Sequence, residues 1–267
     1  MDIENAALLA ESTYIMGGKG KSRQQKYDDI NKMVEKSGYS VVPKHTNKNI
    51  VTFKDKDGNV HLSMQGTNVK STTGFKDIAN DIAIGLGFGG HLDHTRKRKR
   101  KAEKVVRELN PDNLTMSSHS LGGFTQNYTI ANSKKVRNKL KKAYTFNSAA
   151  NPILDNDLNV KPAVKKELED KVVHARVQGD LVSAGFKKKL PFGQLQTYKL
   201  KEEHKDERAG QRILNKLTSF NPLLSNVSNL GKKAIDAHHV SHWHEKKLDK
   251  VNKNSVQSVE EEKEQSN

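Results

Sequence analysis

The sequence contains no cysteine among its 267 residues. Disulfide bonds and thiolate metal sites are therefore excluded. Long apolar runs are lacking as well, because no stretch approaches the ~20 residues that a membrane-spanning helix needs. Hydrophobic residues make up 33% of the chain, aromatic residues make up 6%, and the mean hydropathy is -0.82. We therefore expect a lean core, a heavily solvated surface and no transmembrane segment.

Acidic residues are in deficit, with 31 Asp and Glu against 47 Lys and Arg, a formal net charge of +16 and a pI near 9.7. Such a charge attracts polyanions, which means nucleic acid or an anionic lipid surface. The amino-terminal residues 1–5 are acidic where a secretory signal would be basic, and the apolar stretch 6–10 is too short for one. We therefore expect the protein to act inside a cell or to be packaged in a particle.

The length of the chain and its periodicity indicate the domain organisation. A chain of 267 residues is enough for one sizeable domain. Helical spacing predicts an amino-terminal helical extension over residues 1–38 that packs on the core. Short strand-like runs that alternate with helix-like segments over residues 39–250 predict an α/β domain, and residues 245–253 suit the end of its last helix. The polar, glutamate-rich residues 251–267 are expected to form a disordered acidic tail.

The most informative stretch is 113–123, which reads Asn-Leu-Thr-Met-Ser-Ser-His-Ser-Leu-Gly-Gly. A strand-like run enters it and a helix-like run follows, which is the setting of a nucleophile elbow. At such an elbow a serine is held in strained backbone geometry, and the residues two before and two after it must be small. Around Ser120, Gly122 meets this demand and Ser118 meets it approximately. The alternative is an ordinary polar turn, which a five-residue pattern does not exclude by itself.

The helix that follows the elbow adds an electrostatic element. Unpaired N–H groups at the amino end of a helix favour negative charge nearby. The N–H of Leu121, directly after Ser120, is therefore a candidate donor to the oxyanion of an acyl-transfer reaction.

The elbow resembles that of the class 3 (fungal-type) lipases, whose motif reads Gly-His-Ser-Leu-Gly-Gly; here Ser118 replaces the first glycine. Two flanking stretches match in the right order. Residues 64–67, Met-Gln-Gly-Thr, are similar to the family's Phe-Arg-Gly-Thr, and residues 143–148, Ala-Tyr-Thr-Phe-Asn-Ser, resemble its Thr-Phe-Gly-Ser strand. The resemblance covers residues 40–245. It implies an α/β-hydrolase fold with a mostly parallel central sheet and helices on both faces. It also implies an enzyme that hydrolyses acyl lipids.

The resemblance also implies an oxyanion role for Thr67. In the family, the residue at this position donates its N–H, and often its hydroxyl, to the oxyanion. The alternative is an ordinary loop threonine. Gln65 stands where the family has arginine, so the structural pairing that the arginine supports is in question here.

A candidate catalytic acid follows a later strand-like run, residues 171–178. Along α/β-hydrolase chains the triad runs serine, acid, histidine, and the acid comes just after a late strand. Asp180 fits this position, and Gly179 to Val182 is similar to the family's Gly-Asp-x-Val. An aspartate there would hold the imidazole in the correct tautomer and stabilise the imidazolium. Asp155 and Asp157 are the fallback acids.

Four histidines lie within seven residues near the end of the predicted domain, at 238, 239, 242 and 244. The family's catalytic histidine lies in this region, often followed by a small or apolar residue and then an aromatic residue. His238, with Val240 and Trp243 after it, matches best, and His239 is the alternative base. His238 and His242, four residues apart, also suit a metal site, but a third ligand is not evident. We expect neither a metal nor an organic cofactor.

An apolar, glycine-punctuated segment follows the predicted oxyanion residue. In the class 3 lipases this region carries a mobile lid whose apolar face meets lipid, which makes the segment a lid candidate. The alternative is a helix end buried under a loop. The lid candidate residues are Ile82, Ile84, Leu86 and Phe88.

Six consecutive basic residues come next: Arg96, Lys97, Arg98, Lys99, Arg100 and Lys101. Such a run is expected to lie in solvent or on a partner rather than in a core. It suits a solvated helix face, a localisation or nucleic-acid patch, or an anchor to anionic membrane. No aromatic residue lies between Arg96 and Leu121, which makes nucleic acid the less favoured partner.

Together with these features, the resemblance implies a carboxylic ester hydrolase of the triacylglycerol lipase or phospholipase A type, with Ser120, Asp180 and His238 as its triad. The positive charge favours phospholipid over neutral triglyceride as the substrate. The competing hypothesis is a catalytically inactive hydrolase-fold protein that binds anionic membrane or nucleic acid through its basic surface. The Lys- and Asn-rich chain also resembles lipase-like proteins encoded by some large DNA viruses, which implies a place in an infected cell or a virion.

Overall fold

A computed structural model describes residues 1–66, 90–148, 160–178, 190–201, 241–245 and 248–250. The strands in these ranges are β1 (Tyr39–Val41), β2 (Ile50–Asp55), β3 (Val60–Met64), β4 (Leu114–His119), β5 (Leu140–Phe146), β6 (Val172–Val177), β7 (Gln194–Leu200) and β8 (Leu248–Lys250). The α-helices are α1 (Ile3–Gly17), α2 (Arg23–Val34), α3 (Gly90–Leu109), α4 (Leu121–Asn132), α5 (Lys134–Lys139), α6 (Pro162–Leu168) and α7 (Ser241–His244).

The strands form one mixed sheet in which each strand lies beside the next in the chain, in the order β1 to β8. Strands β3 to β7 are parallel. Strands β1 and β2 join antiparallel at one edge, and β8 joins antiparallel at the other. Parallel neighbours require crossover connections, which explains why helices separate β4 from β5 and β5 from β6.

Helices cover both faces of the sheet, as parallel strands require. On one face, Leu114 and Met116 of β4 meet the apolar sides of α3, α4 and α5. On the other face, α1 packs on β3, β4 and β5, with α2 and α7 beside it. The predicted α/β class, a mostly parallel central sheet with helices on both faces, is confirmed, and this arrangement agrees with an α/β-hydrolase fold.

The two amino-terminal helices have clear start signals. The Asp2 side chain accepts the N–H of Asn5 and caps α1, while Ser22 and Gln25 form a capping box on α2. The 3-10 turn Glu35–Ser37 that follows α2 ends at Gly38, where the positive φ of 74° suits a residue without a side chain. The caps define where the two helices begin, and the packing of α1 on β4 brings its residues close to the end of that strand.

The last edge strand was not predicted. Residues 248–250 pair with β7 as β8, although the sequence pattern there favours the end of a helix. A partner strand supplies the missing hydrogen bonds, and this tertiary contact overrides the weak local preference of three mostly polar residues. Across the described ranges, the longest helix is the highly charged α3, and no helix has the length and apolarity needed to cross a membrane.

Candidate active site

Ser120 is the single residue that connects β4 to α4, and its backbone conformation is strained. Its φ is 55° and its ψ is -132°, a region that a residue with a side chain adopts at a cost of about 1–3 kcal/mol. Two hydrogen bonds hold the turn: the Ser120 N–H donates to the Phe146 carbonyl at 3.0 Å, and the Gly123 N–H donates to the Ser120 carbonyl at 2.9 Å. This is the backbone geometry that the elbow motif predicts.

Two glycines let the end of β3 press against this elbow. A Cβ atom on Gly66 would lie 2.5 Å from the His119 carbonyl oxygen and 3.0 Å from the Ser120 Cβ. A Cβ atom on Gly122 would overlap the Met64 carbonyl oxygen and lie 2.9 Å from the Gln65 carbonyl carbon. The backbone of residues 64–66 therefore touches the nucleophile candidate, and both contacts require glycine.

Ser118 occupies the position where the class 3 motif has glycine. Its side chain is fully buried, and its Oγ has no hydrogen-bond partner among the described residues. A hydroxymethyl group is therefore small enough for this side of the turn. The cost is an unsatisfied buried hydroxyl rather than a displaced elbow.

Leu121 is the first residue of α4, and the N–H groups of this first turn have no acceptor within the helix. Both Ser120 and Leu121 are 5% exposed. A buried helix start beside a buried serine is a suitable environment for the developing negative charge of a tetrahedral intermediate.

Tyr14 of α1 lies next to the elbow. Its Oη is 2.6 Å from the Nδ1 of His119, and the two rings meet edge to face. A Cβ atom on Gly66 would lie 3.0 Å from the same hydroxyl. Burial raises the pKa of Tyr14 well above its ordinary value, although the backbone N–H of Gly66 partly offsets this rise, so the phenol is neutral.

One of the six basic residues departs from the expectation that the run lies in solvent or on a partner. The Arg98 guanidinium turns inward, and its Nη1 donates to the Gln65 carbonyl at 2.6 Å. Its Nη2 lies 3.4 Å from the side-chain oxygen of Asn49. Burial lowers the pKa of Arg98 to about 10, so the group still carries its charge at neutral pH. It can leave solvent because a backbone carbonyl accepts its hydrogen bond.

Two buried histidines of the sheet have structural roles. His61 contacts the hydroxyls of Thr115 at 2.7 Å and Ser117 at 2.8 Å, and burial lowers its pKa to about 3. His174 contacts Thr145 and the Phe192 carbonyl, and burial lowers its pKa to about 4 despite the backbone bond. Both rings are neutral at physiological pH and engaged with the sheet, so neither is positioned as a base for Ser120.

Helix α7, the described part of the histidine-containing stretch 238–244, packs against α1 and the end of β5. Trp243 is 3% exposed, and its ring lies 4.9 Å from that of Phe146, the residue whose carbonyl binds the Ser120 N–H. His244 pairs with Glu11 of α1. The chain that follows the predicted base is therefore packed against both α1 and the end of β5.

Several predicted residues lie outside the described residues, and their predictions stay untested. They are the oxyanion candidate Thr67, the lid candidate residues, the acid candidates Asp155, Asp157 and Asp180, and the base candidates His238 and His239.

A comparison of the sequence with protein-family models and with curated proteins finds no match. A comparison with solved structures finds a lipase from Rhizopus microsporus var. chinensis, 12% identical over 68% of this chain and 67% of its own, with a TM-score of 0.45. The Rhizomucor miehei lipase propeptide complex is 10% identical over 76% and 68% of the two chains, with a TM-score of 0.39. A mutant form of MDLA from Penicillium cyclopium is 15% identical over 76% and 79%, with a TM-score of 0.40. At TM-scores below 0.5 this likeness is too weak to support an argument about function.

Proposed function

We propose that the protein is a serine ester hydrolase that acts on acyl lipids through an acyl-enzyme on Ser120. The observation that carries the proposal is the backbone of Ser120, held at φ 55° between a buried parallel strand and the start of α4. Strain of this kind is retained where it presents a side chain for chemistry.

In the proposed reaction, His238 takes the proton of the Ser120 hydroxyl while the Ser120 Oγ attacks the ester carbonyl carbon. The N–H groups of Leu121 and Thr67 stabilise the resulting oxyanion. The alcohol then leaves with the proton from the imidazolium, and the acyl group stays on Ser120. Water attacks this ester with the same histidine as base, which releases the fatty acid and restores the serine. Asp180 orients the imidazole throughout.

The packing of α7 supports a base from the histidine-rich segment. Trp243 is anchored on Phe146, beside the elbow, and His239 is only four residues before it in the chain. Four residues span roughly 14 Å at most, so the tether is short. His238 is one residue farther, and the two remain alternative bases.

The charge on α3 supports an anionic lipid surface as the place where substrate is met. Within the six-residue basic run on this helix, Arg96, Lys97 and Arg100 are exposed, and the helix follows the lid candidate in the chain. Each basic side chain near an anionic leaflet contributes about 1 kcal/mol to binding. Phospholipid is therefore the proposed substrate, ahead of neutral triglyceride. An intracellular or virion location belongs to the same proposal.

Labelling with a fluorophosphonate probe tests the nucleophile, because the probe reacts with activated serines. The comparison uses wild type, Ser120→Ala, Asp180→Asn, His238→Ala and His239→Ala, with Ser40→Ala on the exposed edge strand β1 as control. We expect wild type and the control to label and Ser120→Ala not to label. The histidine variant with the greater loss identifies the base.

A wild-type protein that stays unlabelled, also with anionic vesicles present, would overturn the proposal. The basic-surface binding protein would then be the better hypothesis. Binding to duplex DNA that falls steeply with salt and ignores lipid composition would assign that surface to nucleic acid.

A further inference from the structure

Three elements that are far apart in the chain meet at one backbone segment, which directly follows β3. Helix α1 supplies Tyr14, helix α3 supplies Arg98, and the elbow supplies His119. The segment itself is Gln65–Gly66, directly before the oxyanion candidate Thr67. Whatever fixes Gln65–Gly66 also fixes where the chain enters the oxyanion position.

The hydroxyl of Tyr14 joins the two halves of the proposed site. It lies 2.6 Å from the His119 Nδ1 on the nucleophile side, and the Gly66 N–H is directed at its oxygen on the oxyanion side. Since the phenol is neutral, it has one proton to donate, and a buried donor without an acceptor would be costly. We assign that proton to the bond with His119, so that the Gly66 N–H donates to Tyr14 and Tyr14 donates to His119.

Arg98 holds the neighbouring peptide. Its Nη1 donates to the Gln65 carbonyl, while the Gly66 N–H of the same peptide unit is directed at Tyr14. The two polar ends of one peptide bond are thus each taken by a side chain from a different helix. This peptide plane is therefore fixed in rotation as well as in position.

We infer that Tyr14 is a positioning residue of the active site, which sets the gap between the oxyanion segment and the Ser120 elbow from helix α1. The inference rests on the proposed function and adds to it a part of the chain that the sequence assigned to an extension. On this account α1 is a component of the catalytic machinery rather than a cover for the sheet. A side chain at position 66 could not hold this segment in place instead, because neighbouring atoms lie too close to the Cβ position of Gly66.

The test compares Tyr14→Phe with Tyr27→Phe. Both variants lose one phenolic hydroxyl from a tyrosine of the amino-terminal helices, but the Tyr27 hydroxyl donates to the Pro43 carbonyl at 3.4 Å, away from the elbow. The measurements are kcat and KM on a soluble p-nitrophenyl ester, the labelling rate with the fluorophosphonate, and the thermal midpoint. We expect Tyr14→Phe to lower kcat and the labelling rate about 10- to 100-fold with KM within about twofold. Tyr27→Phe should leave all three kinetic values within about twofold.

A second pair of variants tests the other end of the hydrogen bond and serves if Tyr14→Phe does not fold. His119→Asn keeps an acceptor near the position of Nδ1, whereas His119→Leu removes it. Recovery of at least a third of the wild-type labelling rate in His119→Asn, with a clear loss in His119→Leu, supports the inference. Equal rates in the two variants contradict it.

The failure of this inference is distinguishable from the failure of the proposed function. If the wild-type protein is not labelled by the fluorophosphonate, both the proposed function and the positioning role of Tyr14 are wrong. If wild type labels and Tyr14→Phe labels at the same rate, or loses only thermal stability, the serine hydrolase stands and the positioning role of Tyr14 is wrong.

Discussion

The Arg98 guanidinium donates a 2.6 Å hydrogen bond to the carbonyl of Gln65, the residue that stands where class 3 lipases have arginine. A positive charge therefore reaches the end of β3, but it comes from α3, 33 residues farther along the chain. Part of the basic run is thus committed to the interior.

Arg98→Met should reveal this internal role. The substitution keeps an unbranched side chain but leaves the Gln65 carbonyl without its donor, which costs about 1–3 kcal/mol of unfolding free energy. Urea unfolding at pH 7 measures the change. Lys97→Met, at the exposed neighbouring position, is the control and should change stability by less than about 0.5 kcal/mol. Equal effects of the two substitutions would show that Arg98 is an ordinary surface residue.

Ser118 and Ser117 offer a matched pair on β4. The Ser118 Oγ is buried with no hydrogen-bond partner among the described residues, whereas the Ser117 Oγ is 2.8 Å from both His61 and Ser63. Ser118→Ala removes an unsatisfied hydroxyl and should raise the unfolding free energy by about 1 kcal/mol. Ser117→Ala breaks a satisfied network and should lower it by about 1–3 kcal/mol. Chemical denaturation of the two variants decides the matter, and changes of the same sign would refute this account of the strand.

The buried histidines predict loss of stability in acid. Burial depresses the pKa of His61 in the folded state to about 3, from 6.5 in the unfolded chain. Below pH 6.5 the unfolded chain takes up a proton that the folded state does not bind, so stability falls as pH falls from 6.5 toward 3. His174, with a folded pKa of about 4, acts in the same direction.

Between pH 7 and pH 5 each of these two histidines should remove about 2 kcal/mol of unfolding free energy. Urea titrations of wild type and His61→Gln at both pH values test this. The variant will be less stable than wild type at pH 7, because its network is altered, but its further loss at pH 5 should be smaller by about 2 kcal/mol. An identical loss in both proteins would mean that His61 is protonated in the folded state.

The elbow could be predicted from the sequence because its determinants are local. A strand (Leu114–His119), a serine with small residues two positions to either side, and a helix (Leu121–Asn132) follow one another directly, and the strained φ at Ser120 follows from that order. The alternation of strands and helices likewise predicted the class of fold. Both predictions depend on residues that are close together in the sequence, within one supersecondary unit.

The surroundings of the elbow could not be predicted, because they depend on contacts between distant residues. Tyr14 and His119 are 105 positions apart, and a tyrosine on an apolar helix face is indistinguishable from a core residue in a pattern. In the sequence, Arg98 cannot be distinguished from its five basic neighbours. Only the position of the Gln65 carbonyl in the fold gives it a different role. The role of each of these residues depends on the hydrogen-bond acceptor that the fold brings close to it. A short stretch of sequence does not contain that acceptor.

The remaining basic residues of α3 give a prediction about surfaces. Lys97 and Arg100 are both exposed, three residues apart on one helical face, so both are free to meet an anionic leaflet together. The double variant Lys97→Glu/Arg100→Glu should weaken binding to phosphatidylserine-containing vesicles roughly 30-fold or more in 0.1 M salt, at about 1 kcal/mol per lost cation.

The control makes the same charge change on the opposite face of the sheet. Lys32→Glu/Lys36→Glu alters α2 and the turn after it, both exposed positions, and should reduce vesicle binding by only a few-fold through net charge. Sedimentation with vesicles over a salt series measures both variants, because surface attraction is screened within about 10 Å at 0.1 M salt. Equal losses in the two double variants would mean that net charge alone, not the face of α3, governs binding. Retention of wild-type binding by the α3 variant would remove the membrane from the proposed function and leave a hydrolase that meets its ester in solution.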